Sequence, residues 1–418
     1  MKTKIVLGAS LVIALTCFLG ACQTPSVPKT KKAIFVIVDG IPADVIERVE
    51  TPAIDQISSI GGYTRAFTGG EVGYYNESPT ISAVCYAHLV IGTWTNKHNV
   101  WDNSLSAVNF AYPSVFTYFK RAFPDRKIGI FSTWEDNRTK LIGEGLTQTG
   151  GLTFDYAKDG YELDSVKFPQ DKEGTYFLAI DDHVAKEGAA VISDHAPDLS
   201  WVYLQYTDNV GHGFGDSEEM DEAVRRADAQ VGVLWEAIKE REKNHNEEWL
   251  IYVVTDHGRD DKGYHHGKQT ERERTIWFAS NDRNWNVYAD QHTPGLVDVM
   301  PSVLRFLEVQ VPKQHQFEWD GIPLNGPVSH KLTRAEIKNE KISMEWDHYD
   351  ATDSAEVWIS TTNRIAVGGK DTYQSLGKVP LKDKKADLSV TNWPSNFYKI
   401  VLETSSNTSS RWVNMLEK

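Results

Sequence analysis

Continuous apolar runs alternate with amphipathic stretches along the first three quarters of the chain. Four runs are apolar over most of their length and end at polar or glycine-containing residues: 32–38, 127–131, 199–206 and 249–254. Such runs are typical of strands that are buried on both faces of a sheet. Between them the pattern predicts helices over 53–59, 83–91, 114–121, 176–193, 217–244 and 294–307. This alternation predicts an α/β domain over residues 32–325, with a mostly parallel central sheet flanked by helices.

The sequence pattern changes after about Asn325. Short segments of alternating polarity follow, at 355–360, 364–367 and 397–402, with turn residues between them. Alternation with a period of two is typical of strands that are buried on one face only. We therefore expect a small C-terminal β-sandwich over residues 326–418.

The N-terminal segment has the pattern of an export signal. Two lysines stand within the first four residues, and residues 5–19 are almost wholly apolar but too few to span a membrane comfortably. The segment ends in Leu-Gly-Ala-Cys, which resembles a bacterial lipobox. We expect removal of residues 1–22 as a signal, acylation of Cys22 and a polar tether over residues 23–31, with ordinary cleavage near Ala21 as the alternative. The protein would then be anchored through outer-membrane lipid and face the periplasm.

The net charge and the cysteine content argue against two classes of protein, those that bind a nucleic-acid polymer and those stabilised by a disulfide framework. The chain has 418 residues, and its 58 acidic against 44 basic residues give a formal net charge of −14. A nucleic-acid polymer is therefore not an expected partner, because binding it requires a positive surface. Two of the three cysteines lie in the export signal, which leaves Cys85 without a partner and excludes a disulfide framework.

Three of the four apolar runs are followed by a carboxylate. Asp39 follows the first, Asp208 the third and Asp256 the fourth, while His212 and His257 come four residues and one residue after the last two. A single aspartate at such a position most often forms a turn or caps a helix. The carboxyl ends of parallel strands meet at one edge of a sheet, however, and oxygen and imidazole ligands together suit zinc.

Two further groups bear on the chemistry of that edge. His265 and His266 follow closely, with glycine on both sides of the segment, and either could complete a metal site. Thr80 and Ser82 stand at the predicted start of a helix. Such a hydroxyl either caps the helix or acts as a nucleophile, activated by a metal, toward an anion held at the helix N-terminus.

The order of these segments resembles the alkaline phosphatase superfamily, and most of all its type I phosphodiesterase/nucleotide pyrophosphatase branch. The shared pattern is VDG, a hydroxyl at a helix start, DxxxH, DHG and a later HG, and it runs from about residue 33 to 307. The β-rich region lies outside it. The resemblance implies an alkaline phosphatase-like sandwich and two zinc ions per chain, with manganese or another divalent metal as the alternative.

The resemblance also implies a role for each residue. One cation would be held by Asp39, Asp256, His257 and the oxygen of Ser82. The other would be held by Asp208, His212 and His266, with His265 as the alternative to His266. The family's apolar V-x-G, here residues 90–92, sets a register in which Ser82 rather than Thr80 is the nucleophile. Asn103 would donate a hydrogen bond to a phosphate oxygen.

The implied activity is hydrolysis of phosphate diesters or pyrophosphates of the nucleotide type through a covalent phosphoryl-serine intermediate. The family usually carries threonine as nucleophile, so an alkaline phosphomonoesterase is the first alternative. A phosphotransferase and a non-catalytic surface binding lipoprotein are the others. Arg138 and Lys140 are candidate cations for the substrate, and Trp134 is a candidate for stacking on a base. A sulfatase is not expected, because Cys85 is not followed by the proline and arginine that formylglycine formation requires.

Overall fold

The computed structural model describes residues 28–415. The predicted signal segment, Cys22 and most of the predicted tether lie outside these residues. Within them, no helix has both the length and the apolar character needed to cross a membrane.

The central sheet contains seven strands, listed here in chain order: β1 (Thr30–Val38), β2 (Gly62–Phe67), β3 (Ile128–Ser132), β4 (Tyr156–Lys158), β5 (Leu199–Leu204), β6 (Glu247–Val254) and β7 (Thr275–Ser280). Their order in the sheet is β2-β7-β6-β1-β5-β3-β4. All pairs from β6 to β4 are parallel, whereas β7 pairs antiparallel with β6 and β2. The predicted mostly parallel α/β fold is confirmed.

Helices cover both faces of this sheet. They are α1 (Ala43–Ile46), α2 (Pro52–Ser58), α3 (Ser82–Ile91), α4 (Thr95–His98), α5 (Val115–Ala122), α6 (Thr175–His195), α7 (Tyr206–Phe214), α8 (Glu218–Asn244), α9 (Glu271–Arg274), α10 (Val287–Gln291), α11 (Val299–Phe306) and α12 (Lys313–Gln316). Alternate residues of β1 enter two separate hydrophobic cores, one shared with α3, α5 and α11 and the other with α2, α6 and α8. The domain is therefore a three-layer sandwich.

Shorter helical segments complete the domain and the region that follows it. One π-helical segment covers Asn137–Ile142, and 3₁₀ turns cover Thr147–Thr149, Tyr161–Leu163, Leu296–Asp298, Arg364–Val367 and Leu381–Asp383.

Several boundaries differ from the sequence prediction, and three of them affect the domain limits or the site. Strand β1 begins at Thr30, inside the predicted tether, because its first residues already pair with β6. The predicted strand 199–206 ends at Leu204, and α7 starts at Tyr206, so Asp208 lies in the first turn of a helix. The last predicted helix begins only at Val299, after a 3₁₀ turn.

The C-terminal region forms two antiparallel sheets around its own core. Its strands are β8 (His330–Lys338), β9 (Lys341–His348), β10 (Ser354–Ser360), β11 (Gln374–Pro380), β12 (Lys385–Ser389), β13 (Phe397–Glu403) and β14 (Thr408–Asn414). The orders are β11-β10-β13-β14 and β12-β9-β8, and the two sheets bury a common apolar cluster. The strand predicted over 364–367 is wrong, because these residues form a 3₁₀ turn.

The β-rich region packs on the loop that leads into α3. The indole of Trp412 stacks on the ring of Tyr75, with 5.8 Å between centroids and 14° between planes. Arg411 forms a two-pronged ion pair with Glu71, with both distances 2.7 Å. The segment before Ser82 is thereby held between the two parts of the chain.

Candidate active site

Three carboxylates meet at the carboxyl edge of the central sheet. Asp39 directly follows β1, Asp208 follows β5 and Asp256 follows β6. These strands are adjacent in the order β6-β1-β5, which brings residues distant in sequence to one edge. The site is therefore built by the parallel part of the sheet.

The first group of candidate ligands consists of Asp39, Asp256 and His257, whose ligand atoms all lie within 4.8 Å of one another. Nε2 of His257 is 3.4 Å from Asp39 Oδ1 and 3.3 Å from Asp256 Oδ2. Neither oxygen has a hydrogen-bond partner among the described residues, although both are buried. Ligands around tetrahedral zinc lie about 3.3–3.6 Å apart, since its bonds to N and O measure roughly 2.0–2.2 Å. The donor set therefore fits a divalent cation.

The protonation of His257 follows from its neighbours. Its Nδ1 lies 2.9 Å from the carbonyl oxygen of Gly258, which only accepts, so Nδ1 carries the proton. The lone pair of Nε2 then faces the two carboxylates and the hydroxyl of Ser82, whose Oγ is 3.2 Å away. Burial, followed by the charges of His266 and Arg259, lowers the pKa of His257, which keeps the ring neutral. A neutral imidazole is the form that binds metals.

Burial and mutual repulsion act on the carboxylates in the opposite direction. Burial, with further contributions from Asp256 and Asp208, raises the pKa of Asp39 well above its usual range. Burial also raises the pKa of Asp256 to about 7, with a contribution from Asp208. Ionised carboxylates gathered in a buried site need a compensating positive charge, which a divalent cation supplies.

The second group consists of Asp208, His212 and His266. Nε2 of His266 lies 3.1 Å from Nε2 of His212 and 3.6 Å from Asp208 Oδ1. Nε2 of His212 lies 3.5 Å from Asp208 Oδ2. Nδ1 of His266 donates to the carbonyl of Thr80 at 2.8 Å, which leaves its Nε2 lone pair for a ligand. These three side chains are the candidate ligands of a second cation, and the ligand atoms of Asp208 and His266 also lie within 4.8 Å of that of His257.

The side chain of His265 is more exposed than that of His266. Its ring is exposed, and its centroid lies 6.5 Å from that of His212. The ring of His266 instead stacks on that of His257, with 3.6 Å between centroids. Of the two adjacent histidines, His266 is thus the one that joins the ligand groups.

Ser82 is the first residue of α3, and the preceding Ile81 offers no side-chain cap. The amide of Ala83 instead donates to Oδ1 of Asn103 at 3.0 Å. Asn103 is therefore held beside Ser82 at a helix N-terminus, a position that favours anions. The hydroxyl of Thr80 is occupied, since it donates to the carbonyl of Lys268 and accepts from the amide of Gly267, both at 2.8 Å.

Three residues that support the ligands were not found from the sequence. The hydroxyls of Tyr86 and Tyr203 both donate to Asp39 Oδ2, the latter at 2.7 Å. Tyr86 lies four residues after Ser82, a spacing that places both on one face of α3 and would have been a usable signal. Arg259 donates to Asp208 Oδ1. Its position directly after the DHG segment was the only sequence signal for it.

The predicted substrate cations have other partners. The guanidinium of Arg138 donates to Asp159, Glu144 and Glu135, which raises its pKa. Lys140 pairs with Asp136 at 2.7 Å. Their expected role in binding the substrate is therefore not supported by the geometry, because neighbouring carboxylates already use their charges. Trp134 packs edge-on against Tyr86, with 6.3 Å between the ring centroids. It therefore contacts a residue that donates a hydrogen bond to Asp39.

Together with the family match, the sandwich fold and the clustered aspartates and histidines support a hydrolase of the alkaline phosphatase superfamily. A model of the family "type I phosphodiesterase / nucleotide pyrophosphatase" matches residues 33–384, and the chain belongs to this family. The match reaches well into the β-rich region, whereas the resemblance in sequence was expected to end near residue 307. No match was found among curated proteins.

Several solved structures are remotely similar. A murine ectonucleotide pyrophosphatase/phosphodiesterase 5, an inactive variant in complex with AMP, is 13% identical with a TM-score of 0.45 over 68% of this chain and 96% of its own. The lipoteichoic acid synthase LtaP from Listeria monocytogenes is 16% identical with a TM-score of 0.46 over 78% and 86%. A 2-O GAG sulfatase is 12% identical with a TM-score of 0.46 over 85% and 86%. The family assignment rests on the family model.

Proposed function

We propose that the protein hydrolyses phosphate diesters or pyrophosphates of the nucleotide type, with Ser82 as nucleophile and two zinc ions as cofactors. The observation that carries this proposal is the convergence of Ser82 Oγ, His257 Nε2 and two unpartnered carboxylate oxygens on one point. Asp39, Asp256, His257 and Ser82 would hold one cation, and Asp208, His212 and His266 the other. When bound, such cations lower the pKa of a hydroxyl and stabilise charge on phosphate oxygens.

The chain's own residues supply the remaining steps. Ser82 attacks phosphorus, the bond to the leaving oxygen breaks, and a phosphoryl- or nucleotidyl-serine forms. Water then attacks phosphorus in this intermediate and restores the hydroxyl of Ser82. The free amide group of Asn103 donates to a phosphate oxygen, and its Oδ1 stays fixed on the amide of Ala83.

The ion pairs of Arg138 and Lys140 favour the diester over the monoester. A monoester carries an additional negative charge, and enzymes that prefer it place Arg or Lys near that charge. Here carboxylates already pair with both candidates. A diester does not require such a cation, so the geometry supports diester cleavage better.

The test compares kcat/KM for bis-p-nitrophenyl phosphate and the p-nitrophenyl ester of thymidine monophosphate with that for p-nitrophenyl phosphate. The protein should lack residues 1–22 and be loaded with zinc. We expect both diesters to be cleaved faster than the monoester. A monoester preference would make the protein a phosphomonoesterase, and no turnover of the three substrates would favour a transferase or a binding protein.

We also propose that the protein is exported and anchored through acylated Cys22. The support is the lipobox-like Leu-Gly-Ala-Cys after a charged and then apolar segment. Labelled palmitate should be incorporated into the full chain and not into its Cys22→Ser variant. Incorporation that survives this substitution would refute the anchor.

A further inference from the structure

A buried guanidinium connects the segments that carry the candidate ligands. Arg259 is 1% exposed, although arginine is rarely buried. Its Nε donates to the carbonyl of Gly40 at 2.9 Å, next to Asp39. Its Nη2 donates to Asp208, to the main-chain oxygen at 2.8 Å and to Oδ1. Its Nη1 donates to the carbonyl of Tyr264 at 3.3 Å, two residues before His266.

Two glycines make the space for this guanidinium. A Cβ on Gly211, in the helix that carries Asp208 and His212, would lie 2.2 Å from Cζ of Arg259. A Cβ on Gly40 would lie 2.6 Å from its Nη2, and Gly40 also has a φ of +66°, which favours glycine. The planar group is therefore enclosed by backbone, and a shorter or rounder cation would not reach the same three segments.

The guanidinium also makes the two ligand groups unequal. The first group has two carboxylates, and each keeps one oxygen without a hydrogen-bond partner among the described residues, Asp39 Oδ1 and Asp256 Oδ2. Their other oxygens accept from neutral donors, the hydroxyls of Tyr86 and Tyr203 and the amide of Gly40. The second group has a single carboxylate, Asp208, and its Oδ1 already accepts from Arg259. Only Oδ2, which lies toward His212, is free of the guanidinium. A fixed positive charge beside the second group must also repel a cation.

We propose that Arg259 is a positioning residue that fixes the geometry of the second cation site and makes it the weaker of the two. Cations then bind in sequence, first at Asp39, Asp256 and His257, and afterwards at Asp208, His212 and His266. This inference rests on the two-cation site of the proposed function. Beyond that function, it predicts the order in which the two cations bind, and it assigns a role to Arg259, which is not itself a ligand.

The test is a titration of the metal-free protein, residues 23–418, with Zn²⁺ and with Mn²⁺ by isothermal titration calorimetry. The wild type should show two phases. Asp256→Asn should remove the tighter phase and Asp208→Asn the weaker one, which assigns each phase to a site. One cation or none in the wild type would refute the two-cation proposal together with this inference.

Arg259→Lys keeps the charge but loses the fork of donors. We expect the weaker site to lose at least about tenfold in affinity, in line with the effect of groups that orient metal ligands, while the tighter site changes less than about threefold. A purely structural role would not separate the two sites. Equal losses at both sites, or no loss at either, would overturn the inference while leaving the two-cation site intact.

Gly211→Ala tests the same claim without altering the arginine. The added methyl group should displace the guanidinium. We expect the lost positioning of Asp208 to outweigh the relief of charge repulsion, so the same site should weaken, which keeps the inference testable if Arg259→Lys does not fold. The double variant should be little worse than the poorer single variant, because both changes act through one group. Fully additive losses would contradict a shared mechanism.

Arg305→Lys is the matched control. Arg305 also donates to three main-chain oxygens, those of Asn325, Pro327 and Ser406, at 2.6–2.8 Å. These contacts lie at the junction with the β-rich region rather than at the ligand groups. Both affinities should remain at wild-type values in this variant, and a selective loss at the weaker site would show that the effect is not specific to Arg259.

Discussion

The hydroxyl of Ser82 lies 3.2 Å from Nε2 of His257, the same nitrogen that faces Asp39 and Asp256. The nucleophile and the two candidate carboxylate ligands therefore all lie around one atom, Nε2 of His257. Ser82 is held there by the start of α3, and His257 by the end of β6. For a substitution at either residue, the effect on turnover should be measurable separately from the effect on metal content.

Ser82→Ala should abolish diester turnover, with a loss of at least about a thousandfold, because the covalent route has no other nucleophile. Metal content should stay near that of the wild type, since the other candidate ligands remain. Thr80→Val is the matched control, because its hydroxyl is occupied by Lys268 and Gly267. Retained activity in Ser82→Ala, or a loss confined to Thr80→Val, would reverse the assignment.

His266→Ala should lower cation occupancy at the second site, whereas His265→Ala should leave it unchanged. The reason is the lone pair on Nε2 of His266, fixed by the bond from Nδ1 to the carbonyl of Thr80. Metal analysis after dialysis measures the occupancy directly. Loss in the His265 variant alone would make His265 the ligand.

The contribution of Asp256 to the stability of the metal-free protein should fall as pH rises from about 4 to about 7. Burial raises the pKa of Asp256 from 3.8 to about 7, so the folded state keeps a proton that the unfolded state releases. The effect is on the order of a few kcal/mol. Zn²⁺ should reverse it, because cations bind the ionised form.

Urea unfolding in chelator at pH 5 and pH 8 measures this dependence. Asp256→Asn removes one titrating group, so the free energy of unfolding at pH 8 relative to that at pH 5 should be higher in the variant than in the wild type. An equal or lower value in the variant would show that Asp256 does not bind the proton in the folded state.

Arg138→Gln should leave KM for a diester within about threefold of wild type. Its guanidinium is engaged by Asp159 and Glu144, and both partners are largely buried, so stability should fall instead. Thermal unfolding and steady-state kinetics on one preparation separate the two effects. A large rise in KM with unchanged stability would restore the role in substrate binding.

Much of the sandwich was predictable because central parallel strands are continuous apolar runs. Three strands of the central sheet were missed: β2, β4 and β7. The strand β2 is half exposed and β4 has three residues, whereas β7 is almost wholly buried but directly follows the charged residues of α9. Helix α7 was missed because its sequence contains two glycines and has low helix propensity. Packing against α8 and the site overrides that propensity.

The carboxylates and histidines were predictable because each stands next to a strand or helix end. The supporting residues were not, since the bonds from Tyr203 to Asp39 and from Arg259 to Asp208 join residues 164 and 51 positions apart in the chain. The buried ion pair of Arg138 with Asp159 was not predictable either. The position of Arg138 after β3 was read correctly, but its partner Asp159 lies on a later loop whose path the sequence does not specify.

A covalent intermediate on Ser82 can be detected by mass spectrometry of acid-quenched enzyme. The zinc-loaded protein is mixed with the p-nitrophenyl ester of thymidine monophosphate, quenched within the first turnover and digested. We expect a thymidylyl adduct on Ser82, formed together with a burst of p-nitrophenol and absent from Ser82→Ala. A burst without an adduct on that peptide, or an adduct on Thr80, would contradict this expectation.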